Sequence, residues 1–212
     1  LDGKRHNQPT DVIVDSRRRV WFADPWNATP PYGPPAYPFL AHASVLRLDP
    51  AGKKAWKMKR VTRDTHGPRA VLLSADEKTL FVADGDAERG NVCQLLAYPV
   101  KRDGSVGPGK SLMVFAPAER GIEGMCLDSD GNIVACAGWK KGGAGPSVYV
   151  ITASGTVIEA HPVPADLPMR CAFGDSGWTS LYLTAADGGL YRATNVGRRG
   201  LKRQRRVDQR EG

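Results

Sequence analysis

A unit that recurs four times in order along the chain constrains the fold more than any other feature. Asp11-VIVDSRRRVWFADP, Ala70-VLLSADEKTLFVAD, Gly124-MCLDSDGNIVACAG and Cys171-AFGDSGWTSLYLTAA share one pattern. Each runs through a few apolar residues, turns through Asp, Ser or Gly, and enters a second apolar run that ends in small residues. The four openings lie 47 to 59 residues apart. Another strand-like run follows each pair, at 44–48, 92–100, 147–152 and 189–193, and a fourth follows three of them, at 56–61, 111–115 and 156–160. Short apolar runs between turn residues, without sustained helical period, read as strands. Four antiparallel strands recurring every ~50 residues are the pattern of a β-propeller blade. The expected fold class is all-β, a propeller with about four blades in this chain. A β-sandwich has no need for the unit to recur.

An open ring of blades leaves strand edges unpaired, so propellers close. The last repeat has no outer strand, and LDGKRHNQPT reads as the end of a preceding blade. The expectation is a propeller six-bladed in the complete protein. Residues 1–196 would be its C-terminal blades, preceded by two more blades of about 100 residues in all. Residues 197–212 hold seven Lys/Arg against two Asp/Glu, with Leu201 and Val207 as the sizeable apolar residues. That composition predicts a disordered basic tail.

The tail also disposes of the charge argument. The net charge is +8, of which the tail carries +5, so the folded part has no expected nucleic-acid surface. No apolar stretch approaches the ~18 residues of a membrane span. The four cysteines, Cys93, Cys126, Cys136 and Cys171, lack CxxC spacing, which argues for free thiols over a zinc site. Cys126 and Cys136 flank the Asp130-Gly131 turn and could face each other across it. Asp15, Asp76, Asp128, Asp130 and Asp175 sit at hairpin turns, where carboxylates cap backbone donors. The proline-rich insertion Pro25–Ala41 is read as a semi-rigid lid or packing surface, and the segment from Trp139 to Pro146 as a flexible loop.

The first strand of each blade lines the central channel, and the residue before it sits at the channel mouth. The repeat places Thr10, Arg69, Glu123 and Arg170 there. Two readings stay open. Glu123 held between Arg69 and Arg170 makes a salt-bridged plug. Alternatively, the same groups form a ligand site, with Glu123 as base or metal ligand and the arginines on an anionic substrate.

Four segments resemble the family of senescence marker protein, gluconolactonase and luciferin-regenerating enzyme. GKRHNQPTDVIVDSRRRVWFADP (3–25) resembles its GKRFNSPNDVVVD opening, and GPRAVLLSADEKTLFVAD (67–84) its GPNG blade. GIEGMCLDSDGNIVACAG (121–138) and PMRCAFGDSGWTSLYLTA (168–185) resemble its DGM and TNC segments. The resemblance runs in order over residues 3–193. It implies a six-bladed propeller with one divalent metal at the channel mouth, hydrolysing sugar lactones and related esters. A calcium or zinc ion held by oxygen ligands would polarise the lactone carbonyl and acidify a bound water.

Carried over position by position, the family's PND Asn is Thr10, followed by the retained Asp11. Its PNG Asn is Arg69, its DGM Asp is Glu123, and its TNC Asn is Arg170. The family's first-blade Glu ligand would lie upstream of Leu1. The resemblance therefore implies Glu123 as metal ligand and general base, with Thr10, Asp11, Arg69 and Arg170 binding substrate. The implied metal is Ca2+ ahead of Zn2+ or Mg2+, or absent altogether, because a guanidinium has no lone pair to offer at position 69. The implied partner is a small molecule, an anionic sugar lactone, taken up by a monomer. The rival is a metal-independent binding propeller with an Arg/Glu-plugged channel. His66, two residues before Pro68, lies near the mouth rim in either reading.

Overall fold

The computed structural model describes residues 1, 3–25 and 40–202. Most of the proline-rich insertion (26–39) and the tail from 203 onward lie outside the described residues, so the lid reading falls there. Fifteen strands build four antiparallel meanders among the described residues. The first blade is β1 (Asp11–Val14), β2 (Val20–Asp24), β3 (Ser44–Pro50) and β4 (Trp56–Arg60). The second is β5 (Ala70–Leu73), β6 (Thr79–Asp84), β7 (Gln94–Pro99) and β8 (Lys110–Val114). The third is β9 (Ile122–Leu127), β10 (Ile133–Trp139), β11 (Gly142–Ile151) and β12 (Val157–Pro162). The fourth has three strands, β13 (Pro168–Gly174), β14 (Ser180–Ala185) and β15 (Leu190–Ala193). Every strand pairs with its sequence neighbour, and β1, β5, β9 and β13 pack against one another in that order. This is the expected propeller arrangement, with the repeat's first strands innermost.

The middle strands are buried on both faces, which is why the repeats read as apolar runs rather than alternations. Trp21 and Val45 of the first blade pack on Val71, Leu80 and Val82 of the second. Phe81 and Leu95 of the second pack on Ile122, Ile133 and Ile151 of the third. Val134 and Val148 of the third pack on Phe173, Leu181 and Leu183 of the fourth. Side chains of this size stabilise by about 1.5–3 kcal/mol each when fully buried. The blades are thus held together by apolar surface between sheets.

The hairpin carboxylates act largely as expected. Asp15 Oδ1 accepts the amides of Arg17 (3.0 Å) and Arg19 (2.9 Å), and its Oδ2 accepts the Trp21 indole N–H at 2.9 Å. Asp128 Oδ1 accepts the amides of Asp130 (3.0 Å) and Asn132 (2.8 Å). Asp175 instead takes side-chain donors, the Tyr182 hydroxyl at 2.8 Å and the Arg192 Nε at 2.9 Å.

Three local readings change. The segment after Trp139 is not a loop: β11 starts at Gly142, and Trp139 pairs with Gly142 past a bulge. Gly138 makes the bulge, with φ +85° and no room for a Cβ, which would lie 2.1 Å from the Gly145 carbonyl oxygen. Cys126 and Cys136 do not face each other, because the register pairs Cys126 with Val134 and Cys136 with Gly124. The fold also continues past 196. Gly200 forms a β-bridge with Asp128, the Leu201 amide donates to the Leu127 carbonyl at 3.1 Å, and Arg198 Nη1 lies 2.7 Å from Asp128. Apolar Leu201 has a core edge to pack on, and Arg198 has two carboxylates, so composition alone misplaced this boundary.

Candidate functional site at the channel mouth

The segments leading into the inner strands are set by two buried carboxylates at the ends of second strands. Asp24 Oδ2 accepts the Asn7 amide at 2.9 Å, and Asp84 Oδ1 accepts the His66 (2.9 Å) and Gly67 (2.8 Å) amides. The Ala-Asp ending shared by the first two repeats was the signal for this device, and it was not read from the sequence. Asn7 also anchors this segment through its side-chain amide, which donates to the His42 carbonyl at 3.0 Å. His66 contributes its amide, while its ring stays exposed, 3.6 Å from Asp84.

With those segments fixed, Thr10, Asp11, Arg69, Glu123 and Arg170 converge. Thr10 Oγ1 donates to the Arg69 carbonyl at 2.9 Å. Asp11 Oδ2 accepts the Val71 amide at 2.9 Å, and its Oδ1 lies 3.6 Å from Arg170 Nε. Burial pushes the Asp11 carboxyl above its ordinary value, against the pull of the Arg170 charge and the Val71 amide. Arg170 bonds main-chain carbonyls from both sides of the mouth. Its Nη1 donates to Glu123 O and to Met169 O (2.8 Å), and its Nη2 donates to Thr10 O. Gly124 permits this approach, because a Cβ there would lie 2.3 Å from the Met169 carbonyl oxygen.

Glu123 is 3% exposed and its carboxylate is bracketed by guanidiniums. Arg69 Nη1 lies 3.4 Å from Oε2, and Arg120 Nε lies 2.5 Å from Oε1. The expected plug thus exists in altered form: Arg120 takes the place expected of Arg170. Arg120 is 6% exposed, lies 5.3 Å from the Trp139 ring centroid, and went unread in the sequence. Burial works against its charge, yet the Glu123 carboxylate outweighs burial and holds the guanidinium above its ordinary value. The short 3-10 turn Ala87–Arg89 completes the rim. Its Asp86 lies 3.0 Å from Arg69 Nη2, and its Glu88 lies 3.5 Å from Arg120 Nη1.

The donor set does not fit the divalent cation implied by resemblance. Both Glu123 oxygens already face a cation, and Arg69 has no lone pair. A metal about 4 Å from one guanidinium would meet about 4 kcal/mol of repulsion per unit of its own charge at an effective dielectric near 20. Among the described residues no group of three or more His, Cys, Asp or Glu is placed to hold a metal ion. No helix among them is long and apolar enough to cross a membrane.

Residues 1–187 match the family described as SMP-30/Gluconolactonase/LRE-like region. The chain belongs to that family. Regucalcin from Xenopus laevis is 26% identical over 143 residues, 60% of this chain and 45% of the relative, so the chain spans less than half of that relative's length. A gluconolactonase structure from Xanthomonas campestris is similar at a TM-score of 0.71 and 29% identity, covering 91% of this chain and 58% of that one. A structure of regucalcin from Agrobacterium tumefaciens, titled a calcium-binding protein, shares the fold at a TM-score of 0.61 and 18% identity, over 87% of this chain and 54% of its own.

Proposed function

We propose that the channel mouth of this gluconolactonase-like propeller binds a small anionic molecule of the sugar-acid class without a divalent cation. The observation that carries this reading is the guanidinium bracket on Glu123, with Arg69 at 3.4 Å and Arg120 at 2.5 Å. An ion pair of this geometry supplies in place what a metal would supply, and it leaves the carboxylate no free face. Arg170 is the guanidinium that meets the ligand. Its side chain is 35% exposed, against 7% for Arg120, and its nearest carboxylate stands off at 3.6 Å. Thr10 and Asp11 flank it and supply a hydroxyl and a carboxylate for sugar hydroxyls.

A second reading is lactone opening at the same mouth, favoured by the 29% identity to a gluconolactonase. There Arg69 and Arg120 would leave Glu123 to hold the developing oxyanion, and Glu123 would act as base. Calorimetric titration with an aldonate, in the presence of a chelator, distinguishes the two. Binding that survives the chelator and weakens about ten- to hundredfold in Arg170→Ala is the expected result, since a charged hydrogen bond contributes about 1.5–3 kcal/mol. No aldonate binding, together with turnover of the lactone, would reject the proposal.

A further inference from the structure

The interface between the third and fourth blades contains a cluster of thiols beside the mouth. Cys126 on β9 and Cys171 on β13 come from adjacent inner strands, and their Sγ atoms are 3.6 Å apart. All four cysteines are free. Cys126 is half-buried and lines a channel cavity of about 400 Å3 below the mouth, with Val12, Leu72, Phe173 and Leu201. Cys171 is 9% exposed and points between the blades, its Sγ also 3.3 Å from the Val134 carbonyl oxygen. Cys136, fully buried on β10, lies away from the channel.

We propose that Cys126 and Cys171 are a reversible oxidation site, joined across the two blades as a disulfide by a small peroxide that enters the channel. A disulfide needs its sulfurs about 2.05 Å apart, so the two sulfurs, 3.6 Å apart, have about 1.5 Å left to close. The Cys126 sulfur attacks hydrogen peroxide at oxygen, cleaving the O–O bond. It becomes a sulfenic acid, and the departing hydroxide takes up the thiol proton as the first water. Cys171 sulfur then attacks the sulfenic sulfur, loses its proton, and expels the oxygen as a second water. Two thiols are oxidised and one peroxide is reduced.

The placement gives the bond a consequence. Cys171 follows Arg170 directly on β13 and Cys126 shares β9 with Glu123, so the link ties together the two strands that present those side chains. Apolar residues line the cavity around Cys126, which admits a small neutral oxidant in preference to a bulky charged one.

The test uses the folded full chain with a small excess of hydrogen peroxide, followed by alkylation, intact mass and peptide mapping. The expected result is a loss of about 2 Da and a Cys126–Cys171 cross-linked peptide that dithiothreitol reverses. Cys136→Ser should keep the link. Cys126→Ser should abolish it, and Cys171→Ser should leave a Cys126 sulfenic acid that dimedone captures. Dimedone added with peroxide to the unmodified sequence should compete with the link, a readout that needs no variant. Four free thiols after treatment would overturn the proposal. So would a link between Cys136 and Cys171, or oxidation at Cys126 that passes to the sulfinic acid without cross-linking.

Discussion

At the scale of single residues, the mouth is governed by the balance of buried charge. Removing one partner of a buried ion pair leaves the other uncompensated, at a cost of about 3–5 kcal/mol. Glu123→Ala strands Arg69 and Arg120, so urea unfolding should show a loss in that range. Glu123→Gln, which keeps an acceptor for one guanidinium, should lose less. Equal losses for the two variants would mean that the carboxylate charge is not what the arginines need. Thr10, Asp11, Arg69, Glu123 and Arg170 were legible in the sequence because each stands at or next to the start of a repeat's inner strand. Arg120 was not legible. It precedes its strand by two residues in a loop, where no periodicity speaks for burial, and only the Trp139 ring and Glu123 draw it inward. Cys171 was legible as a buried thiol but its partner was not, since strand register sets Cys126 against Val134 and leaves its sulfur to the next blade.

Elements impose their own constraints. β9 and β13 approach so closely at Gly124 that a methyl group there meets both the Met169 carbonyl and Arg170. Overpacking of this kind costs about 1–3 kcal/mol. Gly124→Ala should therefore lower stability and weaken ligand binding at Arg170 together, measured by unfolding and by titration of the same preparation. Stability loss with unchanged ligand binding would separate the strand contact from the site. The segment 197–202 is a second such element, held by Arg198 between Asp128 and Glu159. The Arg198 charge, helped by His161, holds the Glu159 carboxyl at about 2. In Arg198→Ala, NMR titration should find Glu159 moved up toward 4.5, and hydrogen exchange at Leu201 should speed up. An unmoved Glu159 would mean that His161 alone sets its ionisation. Composition read this segment as tail because seven arginines and lysines among sixteen residues outweigh one leucine and one valine in any average. The ion pairs that anchor it form with partners 39 and 70 residues earlier in the chain.

For the molecule as a whole, the repeat carried the architecture: blade count, strand order and the identity of the inner strands all follow from it. What it did not carry were the bulge at Gly138 and the return of Leu201, which depend on contacts between blades. Acid should weaken the fold through the same ion pairs. Asp49, held at about 2 by Arg47, and Glu159, held at about 2 by Arg198, are both depressed in the folded chain. The unfolded chain takes up these protons first, so this stability is complete above about pH 4.5 and is lost as pH falls toward 2. Both groups are partly exposed and screened, which limits each to about 1 kcal/mol or less. Urea midpoints should fall across that window, and flat midpoints would contradict the pairing.

On the proposed function, guanidiniums occupy the place of a divalent cation at the mouth. The most direct measurement is a thermal melt of the chain and of Glu123→Ala, each with Ca2+ and with a chelator. The account predicts no difference between calcium and chelator for either protein. A rise with Ca2+ near the ~2.7 kcal/mol expected at 100 Kd, present in the unmodified chain and lost in Glu123→Ala, would contradict it and restore Glu123 as a metal ligand.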